Sequence, residues 1–160
     1  MKTENRDSAK WFWDLIEQNK PNGQNLYNCL INETTQNIGF FHTFFELASQ
    51  EICDYFNGPK IEGIGHISED STEDLNNWIV SMGFDYWKAI IDKEYDIEKA
   101  FWDMEDSIND KHTTLIEWTV LPKFVAENIL KEKYQLDIYE IYDLIMNKTI
   151  KTLKKEELIS

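Results

Sequence analysis

Apolar residues recur along this chain at the three- and four-residue intervals of a helix rather than the alternation of a strand. Leu75, Trp78, Ile79 and Met82 fall at i, i+3, i+4 and i+7. The polar run Ser68-Glu69-Asp70-Ser71 before them supplies capping hydroxyls and first-turn acids. Gly83 stands where a left-handed C-terminal cap belongs. A second stripe, Phe84, Trp87 and Ile91, begins at once, with Asp85 as its candidate cap.

The same pattern extends in both directions. Trp11, Phe12, Leu15 and Ile16 make one face of a helix capped by Asp7 or Ser8 and ended at Lys20-Pro21-Asn22-Gly23. A shorter helix is predicted over 26–31. The longest periodic stretch is 34–57, where Ile38, Phe41, Phe45, Ala48, Ile52 and Phe56 are spaced 3, 4, 3, 4 and 4. Thr34 or Thr35 caps it, and Phe44 and Leu47 widen its stripe, which predicts a central helix covered on more than one side. Asn57-Gly58-Pro59 ends it. Residues 60–69, with Gly63 and Gly65 among three isoleucines, read as a loop. The other reading is a strand over 61–67 paired with the β-branched segment 114–120, because neither strand alone satisfies its backbone. Asp96 opens a helix with Ile97, Phe101, Met104 and Ile108 inward, broken at Asp110-Lys111-His112. Pro122 suits the first turn of a helix running to about Tyr134. A last helix from Ile138 is predicted to bury Ile141, Tyr142 and Ile145. The expectation is an all-α, single compact domain over 1–160, with about seven or eight helices around the long central one. Residues 1–7 form a frayed arm. Residues 148–160, rich in lysine, form a tail or extend the last helix.

Composition narrows the class. One hundred and sixty residues suffice for one good core, and six Trp, seven Tyr and nine Phe argue against disorder. Six tryptophans exceed what one core encloses, so at least one is expected at the surface. No run approaches the roughly 20 apolar residues of a membrane span, and the first residues lack the apolar stretch of a signal peptide. With Cys29 and Cys53 alone, no disulfide framework is implied, and two thiols in a reducing cytoplasm are expected.

Charge changes the picture more. The net charge is −14, and residues 68–110 hold 13 acids against 3 bases, ten of those fourteen charges. Such a field repels nucleic acid and anionic lipid and speeds association with a basic protein. Plain solubility explains the same acids without any partner. Capping likewise accounts for Ser68, Asp70, Ser71 and Asp74, and the pattern is not an EF-hand loop. His42 and Glu46, four apart, have the spacing of a bundle metal site but no matching Glu-x-x-His on another helix. His66 and His112 lie in predicted loops. No nucleophile elbow, Cys-His signature or phosphate-cradling glycine loop is present.

Three short motifs bear a resemblance to a known family. They are Phe12-Trp13-Asp14-Leu15-Ile16; Gly65, Ser68 and Asp70 leading into Trp78-Ile79-Val80-Ser81-Met82-Gly83; and Val125-Ala126-Glu127 through Lys133. Together they resemble an uncharacterised bacterial domain-of-unknown-function family over roughly residues 11–143, with a gap near 98–120. The chain departs from that pattern at Asn76, where the family has Arg, and at Asn57-Gly58-Pro59, where it has a helical segment. The resemblance implies a helical fold and no activity.

The reading that follows is a non-enzymatic protein-binding domain of the bacterial cytoplasm. Most specifically, it is an immunity-type protein that neutralises a basic toxin, such as a nuclease, through an acidic surface. Glu69, Asp70, Glu73, Asp74, Asp103 and Asp106 are the candidate partner-binding residues. No cofactor, catalytic residue, metal ligand, nucleic acid or membrane is expected. The alternatives are a small metal-dependent hydrolase using His42, Glu46 and His66, and a structural or regulatory domain.

Overall fold

A computed structural model describes residues 8–109, 121–137 and 140. Seven helices and one two-stranded hairpin make up the described part. The helices are α1 (Ser8–Asn19), α2 (Gly23–Leu30), α3 (Thr35–Gln50), α4 (Glu69–Ser81), α5 (Phe84–Ile91), α6 (Ile97–Asn109) and α7 (Pro122–Tyr134). The strands β1 (Lys60–Ile61) and β2 (Gly65–His66) run antiparallel. The all-α expectation holds. The arm 1–7, the segment 110–120, the helix expected from Ile138 and the lysine-rich tail 148–160 lie outside the described residues.

Helix starts are set by side chains that meet otherwise orphaned N–H groups. Asn22 accepts from the amides of Gln24 and Asn25, so α2 begins at Gly23, three residues before the predicted start. Thr34 accepts from Asn37 N, and Ser68 accepts from Ser71 N. Asp96 accepts from Glu98 N at 2.7 Å. Pro122 occupies the first turn of α7. Asp85 is not the cap of α5: it sits inside the first turn, and Gly83 holds the cap position without a side-chain bond.

The central helix is shorter than its apolar spacing implies. It stops at Gln50, and a single 3-10 turn covers Tyr55–Asn57. Asp54 accepts from Phe56 N, and Asn76 of α4 donates to the Cys53 carbonyl at 2.9 Å. These bonds replace the ladder that would have continued α3, and Phe56, expected inward, is 79% exposed. The segment 61–67 is not a plain loop. It folds on itself, pairing Lys60 with His66 and Ile61 with Gly65, while the partner expected at 114–120 lies outside the described residues. Gly63 and Gly65 allow this, at φ +80° and +97°.

The core is aromatic. Phe12, Phe41 and Phe45 are fully buried with Ile16, Leu30, Ile38, Leu75 and Ile79. The Phe12 ring lies 4.4 Å from Phe44 and 5.0 Å from Phe41, and Trp13 lies 5.2 Å from Trp87. Such pairs contribute about 0.5–1.5 kcal/mol each beyond the area they bury. Helix α3 packs on α1, α4 and α7, and α4 packs in turn on α5 and α6. Trp102 is exposed, as the tryptophan count demands. Ile108, expected in the core stripe of α6, is 66% exposed. No described helix is long and apolar enough to cross a membrane.

Candidate functional site

Two polar regions stand out, one inside the helix packing and one at its surface. The inner one joins α3, α7 and α4. His42 and Glu46 are one turn apart on α3, and Lys123 and Glu127 are one turn apart on α7. The helices cross so that the pairs meet in reverse order. His42 Nε2 donates to Glu127 Oε1 at 2.7 Å, and Lys123 Nζ donates to Glu46 Oε1 at 3.0 Å. Glu73 of α4 accepts a second bond from Lys123 Nζ at 2.9 Å. Below them, Ser49 donates to Asn77 Oδ1 at 2.9 Å, which leaves the Tyr55 hydroxyl to donate to Ser49 Oγ at 3.1 Å.

The chemistry of this network is cohesion. Burial alone would push the Lys123 ammonium down, but the hydrogen bonds and charges of Glu73 and Glu46 outweigh it and raise the group. It therefore stays a cation and is no amine nucleophile at neutral pH. Burial pushes the Tyr55 phenol up. The Ser49 bond works against that, while the Glu46 and Glu73 charges add to it. Burial also raises the Cys53 thiol, against the hydrogen bond to Asn76 and with the Asp54 charge. Neither group is an activated nucleophile.

The hydrolase constellation does not come together. His42 bonds Glu127 through Nε2, its buried Nδ1 having no partner among the described residues, and Glu46 is held by Lys123. His66, in β2, donates from Nδ1 to the Gly58 carbonyl at 2.9 Å. No trio of His, Cys, Asp or Glu among the described residues is placed to hold a metal ion.

The outer region is a cleft of about 600 Å³ between α4, α6 and the end of the hairpin. On α4, Asp74 and Trp78 share one face, four residues apart. On α6, Phe101, Met104, Glu105 and Ile108 share another. Ile64 and Ile67 close the hairpin side. The lining is thus mixed: an apolar wall from these residues and Leu121 faces Asp74, Glu105, His66 and the hydroxyls of Ser68, Ser71 and Ser107. Burial and the neighbouring charges of Glu73 and Asp70 hold the Asp74 carboxyl above its usual range, only partly offset by Lys123. Trp78 is 6% exposed, and its indole Nε1 has no acceptor among the described residues. The contrast with Trp87, whose Nε1 donates to the Ala48 carbonyl at 2.9 Å, is direct.

The six candidate acids divide accordingly. Glu69, Asp70, Asp74 and Asp106 are exposed. Glu73 is half-buried and committed to Lys123. Asp103 is half-buried and accepts from Tyr86 at 2.9 Å and Tyr95 at 2.6 Å. Burial, with the Asp103 bond and charge next, pushes the Tyr86 phenol far up, so this trio holds α5 to α6 rather than facing a partner. Sequence reasoning missed Glu105, Trp78 as a site residue, and the cleft itself. The available signal was the spacing of Phe101, Met104, Glu105 and Ile108, which puts an acid inside an apolar stripe. No family model, curated protein or solved structure matches the chain.

Proposed function

We propose that this chain is a protein-binding domain of the immunity type, which engages a basic protein through the acidic face around the α4–α6 cleft and blocks it. The single observation that carries this reading is the pairing of free acids with open apolar surface. Asp74 and Glu105 line the cleft, and Ile64 and Ile108 project at its rim. Docking needs both features: charge for rate and register, and apolar area for affinity. The isoleucines, at 54% and 66% exposure, set apolar area beside the carboxylates.

The inner network supports the same reading. The histidine and lysine that chemistry would draw on are consumed in holding three helices together. In this proposal the domain acts in a reducing bacterial cytoplasm, where Cys29 and Cys53 persist as the free thiols seen here.

Affinity capture with the intact protein tests it, run beside a Glu69→Gln, Asp70→Asn, Asp74→Asn variant. The expected result is a basic protein retained by the wild type, released by the variant, and inhibited one-to-one in its own activity. Equal retention by both proteins, or a retained partner that keeps full activity in the complex, overturns the reading.

A further inference from the structure

The cleft offers three kinds of contact, and together they describe one kind of occupant. Its carboxylates, Asp74 and Glu105, have no cationic partner among the described residues, and Glu105 has a 3.4 Å contact from Asn109. Their charge rejects phosphate and carboxylate ligands and favours an ammonium or guanidinium. Its walls, Phe101, Met104 and Ile67, are apolar and already largely buried. They favour an aliphatic side chain or stem. Its third contact is the indole of Trp78, which lines the cleft. The ring's Nε1 is a donor only, it is buried, and it lacks an acceptor among the described residues. A buried donor without a partner is rare in folded proteins. A volume of about 600 Å³ lies in the range of roughly 300–1,000 Å³ found for sites that enclose their ligands.

A cation and an apolar body occur together in a peptide of basic and aliphatic residues. We infer that the cleft receives a short extended segment of the partner protein in which arginine or lysine alternates with aliphatic residues. Its cationic side chain meets Asp74 and Glu105. Its aliphatic side chain lies on Phe101 and Met104. Its backbone passes along the Trp78 indole. This rests on the protein-binding reading above and sharpens it, because a purely electrostatic partner would need neither the apolar walls nor the indole.

The probe is a blocked pentapeptide, acetyl-Leu-Arg-Leu-Arg-Leu-amide, titrated into the full chain labelled with 15N at its six tryptophan indoles. The Trp78 resonance is identified by its absence in Trp78→Phe. On binding, it is expected to shift saturably. The double variant Asp74→Asn, Glu105→Gln is expected to weaken the peptide at least tenfold. Replacing arginine by citrulline, or leucine by serine, is expected to do the same. An unmoved Trp78 resonance overturns the inference, as does unchanged affinity in the double variant. A serine-for-leucine peptide that binds equally well overturns it too, since the acidic face alone would then suffice. So does arginine methyl ester binding as tightly as the pentapeptide, since the site would then take a small amine. The two readings fail separately. If a basic protein is captured through Glu69 and Asp70 while Trp78 stays silent, the cleft assignment falls and the protein-binding proposal stands. If no basic protein is captured but the pentapeptide shifts Trp78, the reverse holds.

Discussion

Lys123 is 5% exposed, and it is the one described cation that bridges two carboxylates from different helices. Its value to the fold lies less in attraction than in what its loss would leave behind. Glu46 is mostly enclosed, so without the ammonium it becomes a poorly hydrated, unpaired carboxylate. Lys123→Met is therefore expected to cost about 3 kcal/mol in urea denaturation at neutral pH. Adding Glu46→Gln is expected to recover more than 1 kcal/mol of that loss, because residues in one network do not act additively. The sign of the pH dependence follows from the raised Lys123 value. Its contribution is complete below the unfolded lysine value of 10.5 and is lost as pH climbs through the higher folded value. The gap between wild type and Lys123→Met should thus be flat from pH 7 to 10 and close only above that. The spacing of His42 and Glu46 was visible in the sequence, but its partners were not. Nothing local announces that Lys123 and Glu127, about eighty residues away, face the same turn.

At the scale of elements, most helix starts were legible, those of α2 and α5 less so, and the end of α3 was not. Ser68, Thr34, Asp96 and Pro122 act through bonds or geometry within a turn of themselves, so composition reveals them. The end of α3 is tertiary. The apolar rhythm runs on through Ile52 and Phe56, but Asn76 captures the Cys53 carbonyl from another helix. The α4–α5 joint was half legible: a glycine was expected there as a left-handed C-terminal cap, but Met82 caps α4 in the right-handed region and the N-cap of α5 falls to Gly83. Its φ of +101° and ψ of 176° are open to glycine and strained for other residues. A Cβ there would also run into Glu17 Oε1, in the crowded place where Lys20 Nζ donates to the Met82 carbonyl at 3.0 Å. Glu17 is flexible and can swing away, so the lasting cost is in the backbone. Gly83→Ala is expected to destabilise by about 1–3 kcal/mol, read as a lowered Tm in thermal melts. The opposite case is Gln135, which caps α7 at φ +53°. Gln135→Gly should stabilise by up to about 1 kcal/mol, because glycine takes that conformation without strain.

Across the whole molecule, the acids of 68–110 do two different jobs, and a count of charges does not separate them. Glu73 and Asp103 turn inward to Lys123 and to two phenols, whereas Asp74 sits at the cleft among Glu73 and Asp70 with its carboxyl held above the usual range. An acid whose folded value is raised destabilises the fold once it ionises, and that penalty fades as pH falls through the carboxylate range towards the unfolded 3.8. Asp74→Asn is therefore expected to raise the Tm at pH 7 and to leave it unchanged near pH 3. The gain should be about 0.5 kcal/mol at most, since water screens most of an exposed charge. The same substitution should weaken a basic partner. A residue that costs stability yet serves docking is the mark of a surface shaped for binding rather than for solubility. Measuring both quantities on one variant separates the two explanations of the acidic face. Stability gained with partner affinity lost places Asp74 in an interface, while stability gained with affinity unchanged leaves it a solvated charge.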